Sequence, residues 1–159
     1  MKKILLIAAF TLLGLNSVVA QNGSFNIGGN IGHPTADADE LLATAMSGEV
    51  NFLFDVSDKF KVGPSVSYLY YVGKQGVADF TYLPLAGVAR YAVSEKFTVG
   101  ADLGYAFGVF PESNDNSFYY RPMVGYEFMK NVTIQVTYSS MSINSETIAN
   151  IASGVVYHF

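Results

Sequence analysis

Six charged residues lie inside segments that carry little other charge and are the residues of this sequence whose types and spacing allow chemistry. They share one face of alternating segments with glycine, serine and threonine, whereas the opposite face is apolar. Because both signs are present, the chemistry they support is mutual ion pairing through charge-assisted hydrogen bonds. The six are Glu49, Lys61, Arg90, Asp102, Arg121 and Glu127.

The depth of these charges follows from counting residues away from the short turns. Glu49, Asp102 and Arg121 are expected near the middle of their segments, and the other three near the turns. Each layer then contains both signs, and unpaired ions in a narrow interior would be costly. The pattern predicts salt-bridged layers that plug the interior. A gate or selectivity point for solutes is the alternative function of the same residues.

Catalytic chemistry has little support in the sequence. The chain has no cysteine and only two histidines, His33 and His158, which are expected near opposite ends of the fold. No G-x-S-x-G motif is present. The glycine-rich stretch 23–32 lacks a following helix and is therefore not a phosphate loop. We predict no catalytic residue, no metal site and no cofactor.

The elements that carry the charges are strands of period two. In one of them, Val132, Ile134, Val136 and Tyr138 alternate with threonine, glutamine and serine. The same alternation predicts eight strands, over 24–33, 45–56, 60–72, 80–92, 97–109, 117–128, 132–141 and 149–159.

The connections between these strands alternate in length. Short turns are predicted at 57–59, 94–96 and 129–131, and longer polar loops at 34–44, 73–79, 110–116 and 142–148. The segments VSDKFKVG and VSEKFTVG both span a short turn. They mark a structural period rather than a solenoid repeat.

Composition indicates which way the apolar faces point. Only 14% of the 159 residues are charged, against about 25% in an ordinary soluble domain. A membrane barrel directs apolar side chains outward and polar ones inward, whereas a soluble lipocalin-like carrier does the reverse. The polar faces carry too little charge for a soluble exterior, so an all-β, eight-stranded antiparallel up-and-down transmembrane barrel is predicted.

The first twenty residues are expected to be a signal peptide. Lys2 and Lys3 precede an apolar stretch over 4–15 that is too short to span a bilayer, and small residues end at Ala20. Cleavage after Ala20 would leave residues 21–159 as the barrel domain. Without a cysteine, the exported chain cannot be a lipoprotein.

The C-terminal segment GVVYHF carries a family resemblance that extends over the whole barrel domain. Its last outward face would present Ile151, Val155, Tyr157 and the terminal Phe159. This resembles the small outer-membrane β-barrels of the OmpA transmembrane-domain and OmpX type, a porin-like family of the Gram-negative cell envelope. The resemblance implies a monomer in the outer membrane. It also implies that the four residues are an assembly signal read by the barrel assembly machinery.

The expected role is structural or surface interaction in the envelope, with outer-membrane lipid as the surrounding partner. A balance of 9 Lys and Arg against 13 Asp and Glu argues against nucleic acid. Most of the acidic residues fall in the long loops, where a basic surface partner or divalent cations are conceivable ligands. The alternative is a passive conduit for small or hydrophobic solutes, in which Leu69, Tyr71, Tyr82 and Val88 would line an apolar stretch of the lumen.

Overall fold

The computed structural model describes residues 23–36, 38–111, 115–143 and 146–159. The predicted signal peptide and its cleavage site lie outside these ranges. Eight strands follow one another along the described chain, with a four-residue helix α1 (Ala38–Leu41) between the first two. The strands are β1 (Gly23–Thr35), β2 (Leu42–Asp55), β3 (Phe60–Gly73), β4 (Phe80–Ala92), β5 (Phe97–Phe110), β6 (Ser117–Met129), β7 (Val132–Ile143) and β8 (Glu146–His158).

The sheet closes on itself as an antiparallel up-and-down barrel. Every strand pairs with its neighbours in sequence, and β1 also pairs with β8, from Asn26 opposite His158 to Thr35 opposite Ala149. Closure leaves no unpaired sheet edge along the barrel. The predicted fold class, strand number and strand order are confirmed.

Two predicted loops are wrong. The segment 142–148 is not a long loop, because β7 continues to Ile143 and β8 begins at Glu146, with Ser142 opposite Thr147 in the ladder. Polar residues on both strands weaken the alternation there without preventing backbone pairing. The segment 34–44 is also not a plain loop, since it contains the end of β1, all of α1 and the start of β2. No described helix is long and apolar enough to cross a membrane.

The repeated VSxKF sequence forms the same turn twice. Ser57 Oγ accepts hydrogen bonds from the N–H groups of Lys59 and Phe60, at 3.4 and 3.1 Å. Ser94 Oγ accepts from Lys96 and Phe97 in the same way, at 3.4 and 3.2 Å. Because the serine satisfies backbone donors that the strand ladder leaves free, both turns are short and well defined.

The two faces of the barrel wall have opposite character. Large apolar side chains are exposed on the outside of all eight strands, among them Ile31, Leu103, Phe118 and Val136. The inside buries polar and charged side chains together with a group of tyrosines. A soluble monomer seldom exposes so extensive an apolar surface.

Glycine on the inward face lets the strands approach closely. A Cβ at Gly104 would lie 2.0 Å from the carbonyl oxygen of Leu85, and one at Gly32 would lie 2.2 Å from that of Ile151. Both distances are far below van der Waals contact, so any side chain there would push neighbouring strands apart. The narrow interior therefore explains why the inward, polar face contains small residues.

Candidate functional site in the barrel interior

A buried ion-pair network crosses the middle of the barrel. Asp102 on β5 lies directly opposite Arg121 on β6, and Arg121 Nε donates to Asp102 Oδ2 at 2.8 Å. The same guanidinium reaches across the lumen and donates to Glu49 on β2. Arg90 Nη1 on β4 contacts the other carboxylate oxygen of Asp102 at 2.6 Å. We name these four residues the central network; two cations and two anions alternate in it as Arg90, Asp102, Arg121 and Glu49.

The residues of the central network are buried, so their ion pairing matters for the stability of the barrel. Asp102 is 0% exposed, Arg121 2%, Glu49 3% and Arg90 8%. Ions removed from water lose several kcal/mol of hydration each, which only partners with good geometry offset. The central network has no net formal charge and places each carboxylate against at least one guanidinium.

Neutral amide side chains complete the coordination of Glu49. Gln135 Nε2 donates to Glu49 Oε1 and also, at 2.8 Å, to Asn30 Oδ1. Asn30 Nδ2 donates in turn to Ser47 Oγ at 3.1 Å. Neither amide residue is among the six charges predicted for the interior, because an amide side chain carries no charge. The period-two alternation of their strands nevertheless identifies both as inward-facing residues.

Arg90 lies in a different layer from the predicted one. The sequence placed Arg90 near the short turns with Lys61 and Glu127, but its side chain instead pairs with Asp102. Gly100 faces Arg90 in the ladder, and a Cβ there would lie 2.6 Å from Arg90 Cδ. The missing side chain thus leaves room for the arginine to extend along the lumen towards mid-depth.

The short-turn end of the lumen is polar and partly open to solvent. Lys61 Nζ lies 2.9 Å from Asp55 Oδ1, and the two side chains are 41% and 37% exposed. Glu127 is exposed and belongs to no ion pair among the described residues. His158 lies between Asn26 and Thr133, with ring nitrogens 2.7 and 2.8 Å from their side-chain oxygens.

The loop end of the lumen is apolar and densely packed. Its cluster of buried side chains includes Leu42, Leu69, Tyr71, Tyr82, Tyr119 and Met141, with Ala38 of α1 packed against them. The Tyr71 hydroxyl accepts a hydrogen bond from Asn150 Nδ2 at 2.7 Å. Val88, the fourth residue predicted for an apolar lumen stretch, is also buried, but it lies opposite Asp102 at the level of the central network and is not part of this cluster. The hydrophobic side chains thus pack against one another between the central network and the loops.

The two histidines lie at opposite ends of the barrel. His33 is exposed at the loop end of β1, where its Nε2 lies 3.1 Å from Asp39 Oδ1. Lys74 lies 3.8 Å from the same carboxylate oxygen. In the part of the chain that the structure describes, no three His, Asp or Glu side chains are placed to hold a metal ion.

The C-terminal face predicted as an assembly signal lies on the outside of β8. Ile151, Val155, Tyr157 and Phe159 are all exposed. The backbone N–H of Phe159 donates to the carbonyl of Phe25 at 2.9 Å, and the two phenyl ring centroids are 5.6 Å apart. Phe159 therefore closes the β1–β8 seam at the short-turn end.

A closed eight-stranded barrel with an apolar exterior and an ion-paired interior has the architecture of small transmembrane barrels. No protein-family model matches the sequence, and no curated protein matches it. Solved structures do match the fold. Ail, the attachment invasion locus protein of Yersinia pestis, gives a TM-score of 0.63 at 17% identity, covering 86% of this chain and 97% of that chain.

Two further solved structures show how widely this architecture is used. The N-terminal β-barrel domain of Pseudomonas aeruginosa OprF gives a TM-score of 0.55 at 15% identity, covering 87% of this chain and 98% of that one. The outer-membrane enzyme PagL gives 0.57 at 13% identity, covering 83% and 98%. The fold is thus that of outer-membrane barrels, both enzymatic and not, and does not by itself assign an activity.

The apolar exterior and polar interior of the barrel lead to a prediction about its solubility. Residues 21–159, refolded in detergent and then diluted below the critical micelle concentration, are expected to precipitate, because exposed apolar surface costs about 25 cal/mol per Å² in water. Light scattering and far-ultraviolet circular dichroism of the supernatant measure this. A folded monomer persisting in plain buffer would instead support the soluble carrier architecture.

Proposed function

We propose that this chain is an integral outer-membrane barrel with a structural or surface-interaction role and a plugged lumen. The observation that carries the proposal is the central network, which spans the lumen from β2 to β6 and β4 to β5 with buried, mutually paired charges. An eight-stranded barrel is only wide enough for its own side chains to fill. A solute would have to break these ion pairs to pass.

The apolar cluster at the loop end of the lumen forms a second obstruction, on the loop side of the central network. Leu69, Tyr71 and Tyr82 pack together between the central network and α1, and each is almost completely buried. A solute that entered from the partly open short-turn end would meet the ions first and the packed tyrosines next. The conduit hypothesis therefore has less support than the plugged barrel.

Electrical conductance tests the plugged lumen. The detergent-refolded barrel, inserted in planar bilayers, is expected to show no sustained open events, because a passing ion would have to displace both the central network and the packed tyrosines. Insertion is checked separately by the heat-modifiable electrophoretic mobility of barrel recovered from matched vesicles. Steady open levels that scale with the amount of inserted barrel would overturn the plugged lumen and favour the conduit.

The rim at the loop end supports a role in surface interaction. Asp39 and Glu40 of α1, Asp79 and Asp115 give this rim an acidic character, with Lys74 as a cation among them. The Tyr70 hydroxyl and the Gly73 N–H both donate to Asp79, and these bonds lower the pKa of its carboxyl group. An ionised acidic rim favours a basic partner or divalent cations.

Export and membrane assembly are also part of the proposed function. We expect export by a signal peptide cleaved after Ala20, and recognition of Ile151, Val155, Tyr157 and Phe159 by the barrel assembly machinery. The support for the second step is that all four side chains are exposed on one outward face at the chain terminus. The mature barrel is proposed to be a monomer in the membrane.

A further inference from the structure

An open depression of about 800 Å³ lies in the outer wall of the barrel, across β7, β8, β1, β2 and β3. Its floor is made of small residues, Gly29, Gly48 and Ser153. Large apolar side chains, including Ile31, Met46 and Tyr68, form its sides. The volume falls in the range of about 300–1,000 Å³ that is typical of ligand sites. We name this feature the wall depression.

The two glycines of the wall depression are not required by packing within the chain. A Cβ at Gly48 would meet nothing within 4 Å, and one at Gly29 only the carbonyl oxygen of Ser47 at 3.8 Å. This differs from Gly104, where the neighbouring strand leaves no room. Glycine in a strand weakens it and often marks the close approach of another group. Because both glycines face outward, any such group would approach from outside the barrel.

The register places outward residues of the wall depression side by side on five neighbouring strands, so that it runs across them as a trough. Ile134 pairs with Val155, Val155 with Gly29, Gly29 with Gly48, and Gly48 with Tyr68. Four interstrand steps of about 4.8 Å separate the backbones of Ile134 and Tyr68, so the lining of the wall depression extends over about 19 Å. With strands tilted near 45°, this covers about 14 Å of membrane depth, close to half of a hydrocarbon core of about 30 Å.

The trough also has a direction relative to the membrane. Ile134 lies two residues after the start of β7 at the short-turn end, whereas Tyr68 lies in the half of β3 nearer the loops. The trough therefore starts close to the short-turn side and rises towards mid-membrane. A lipid tail from the leaflet on the short-turn side would follow the same path.

We propose that the wall depression binds one acyl chain of a phospholipid from the short-turn leaflet. The trough is continuous with the apolar exterior, and the membrane depth over which its lining extends is close to one leaflet; the inference rests on the proposed membrane location. A second copy of this chain fits less well, because two depressions face to face would leave a void without van der Waals contacts. A flexible acyl chain fills the trough.

Filling the trough with protein side chains tests the proposal. The double variant Gly29→Leu/Gly48→Leu fills it from the floor, and Gly48→Leu alone is the milder version. Gly87→Leu is the matched control, because Gly87 is another outward glycine with open space, its nearest neighbour being the Leu103 carbonyl oxygen at 3.9 Å. Native mass spectrometry of each barrel in detergent with added palmitoyl-oleoyl phosphatidylethanolamine measures retained lipid.

The natural chain and Gly87→Leu are expected to retain one phospholipid per barrel, and the double variant on the order of tenfold less. Equal retention by all barrels, or no retention by the natural chain, would overturn the acyl-chain site. A dimer lost on filling the trough would overturn it in favour of a second copy. If the membrane location itself were wrong, the natural chain would stay soluble without detergent, so the two failures are distinguishable.

Discussion

Replacing Arg121 with alanine is expected to lower the free energy of unfolding by about 3–5 kcal/mol, the cost typical of breaking a buried ion pair. Arg121 is the residue that joins Glu49 to Asp102. Its loss leaves Glu49 buried without a cation and Asp102 with Arg90 alone. Urea titration in detergent micelles, followed by far-ultraviolet circular dichroism, measures the loss.

Two further variants separate the ion-pair effect from general damage. Arg121→Ala/Glu49→Ala removes one charge of each sign and leaves the Arg90–Asp102 pair, so part of the lost stability is expected to return. Lys61→Ala removes the exposed pair with Asp55 and should cost about 0–1 kcal/mol. Equal losses for Arg121→Ala and Lys61→Ala would contradict the central network as a major source of stability.

Replacing Phe159 with alanine is expected to remove most of the assembled barrel from cells. The side chain ends the exposed β8 face proposed as the assembly signal, and its ring also contacts Tyr157 with centroids 4.8 Å apart. Without it the assembly machinery would lose the terminal aromatic group of its signal. Heat-modifiable barrel in isolated outer membranes is the quantity to measure.

Phe128 provides the matched control for this experiment. Its side chain lies outward near the short-turn end of β6 and is 60% exposed, against 69% for Phe159. Phe128→Ala should assemble at nearly the natural level. Both variants should also refold into detergent with similar yield, since the proposed signal acts during biogenesis. A Phe159→Ala barrel that also failed in detergent would indicate a folding defect instead of a lost signal.

Period-two alternation predicted the strands, because inward and outward residues meet different surroundings along each strand, and the low charge content indicated that the apolar faces point outward. It failed at Ser142 and Thr147, which are both polar and yet pair in the ladder. There, backbone hydrogen bonding decides the structure, and side-chain polarity carries no signal. The true end of the β7–β8 hairpin therefore could not be found from polarity alone.

The interior was only partly predictable for a related reason. Parity identifies which side chains point inward, but not how far a long side chain reaches along the lumen. Arg90 extends past its own layer because Gly100 leaves space, and that relation depends on the register between β4 and β5. The short helix α1 carried no periodic signal, since four residues complete barely one turn.

The β1–β8 seam has a consequence for the order of events during folding. The side chains of Asn26 and His158 meet across it although they are 132 positions apart in the chain. Contacts so distant in sequence form slowly, and until they form both terminal strands expose unpaired backbone groups. We therefore expect closure of the ring at this seam to be a late step of folding, because β1 gains its second neighbour only when β8 is in place.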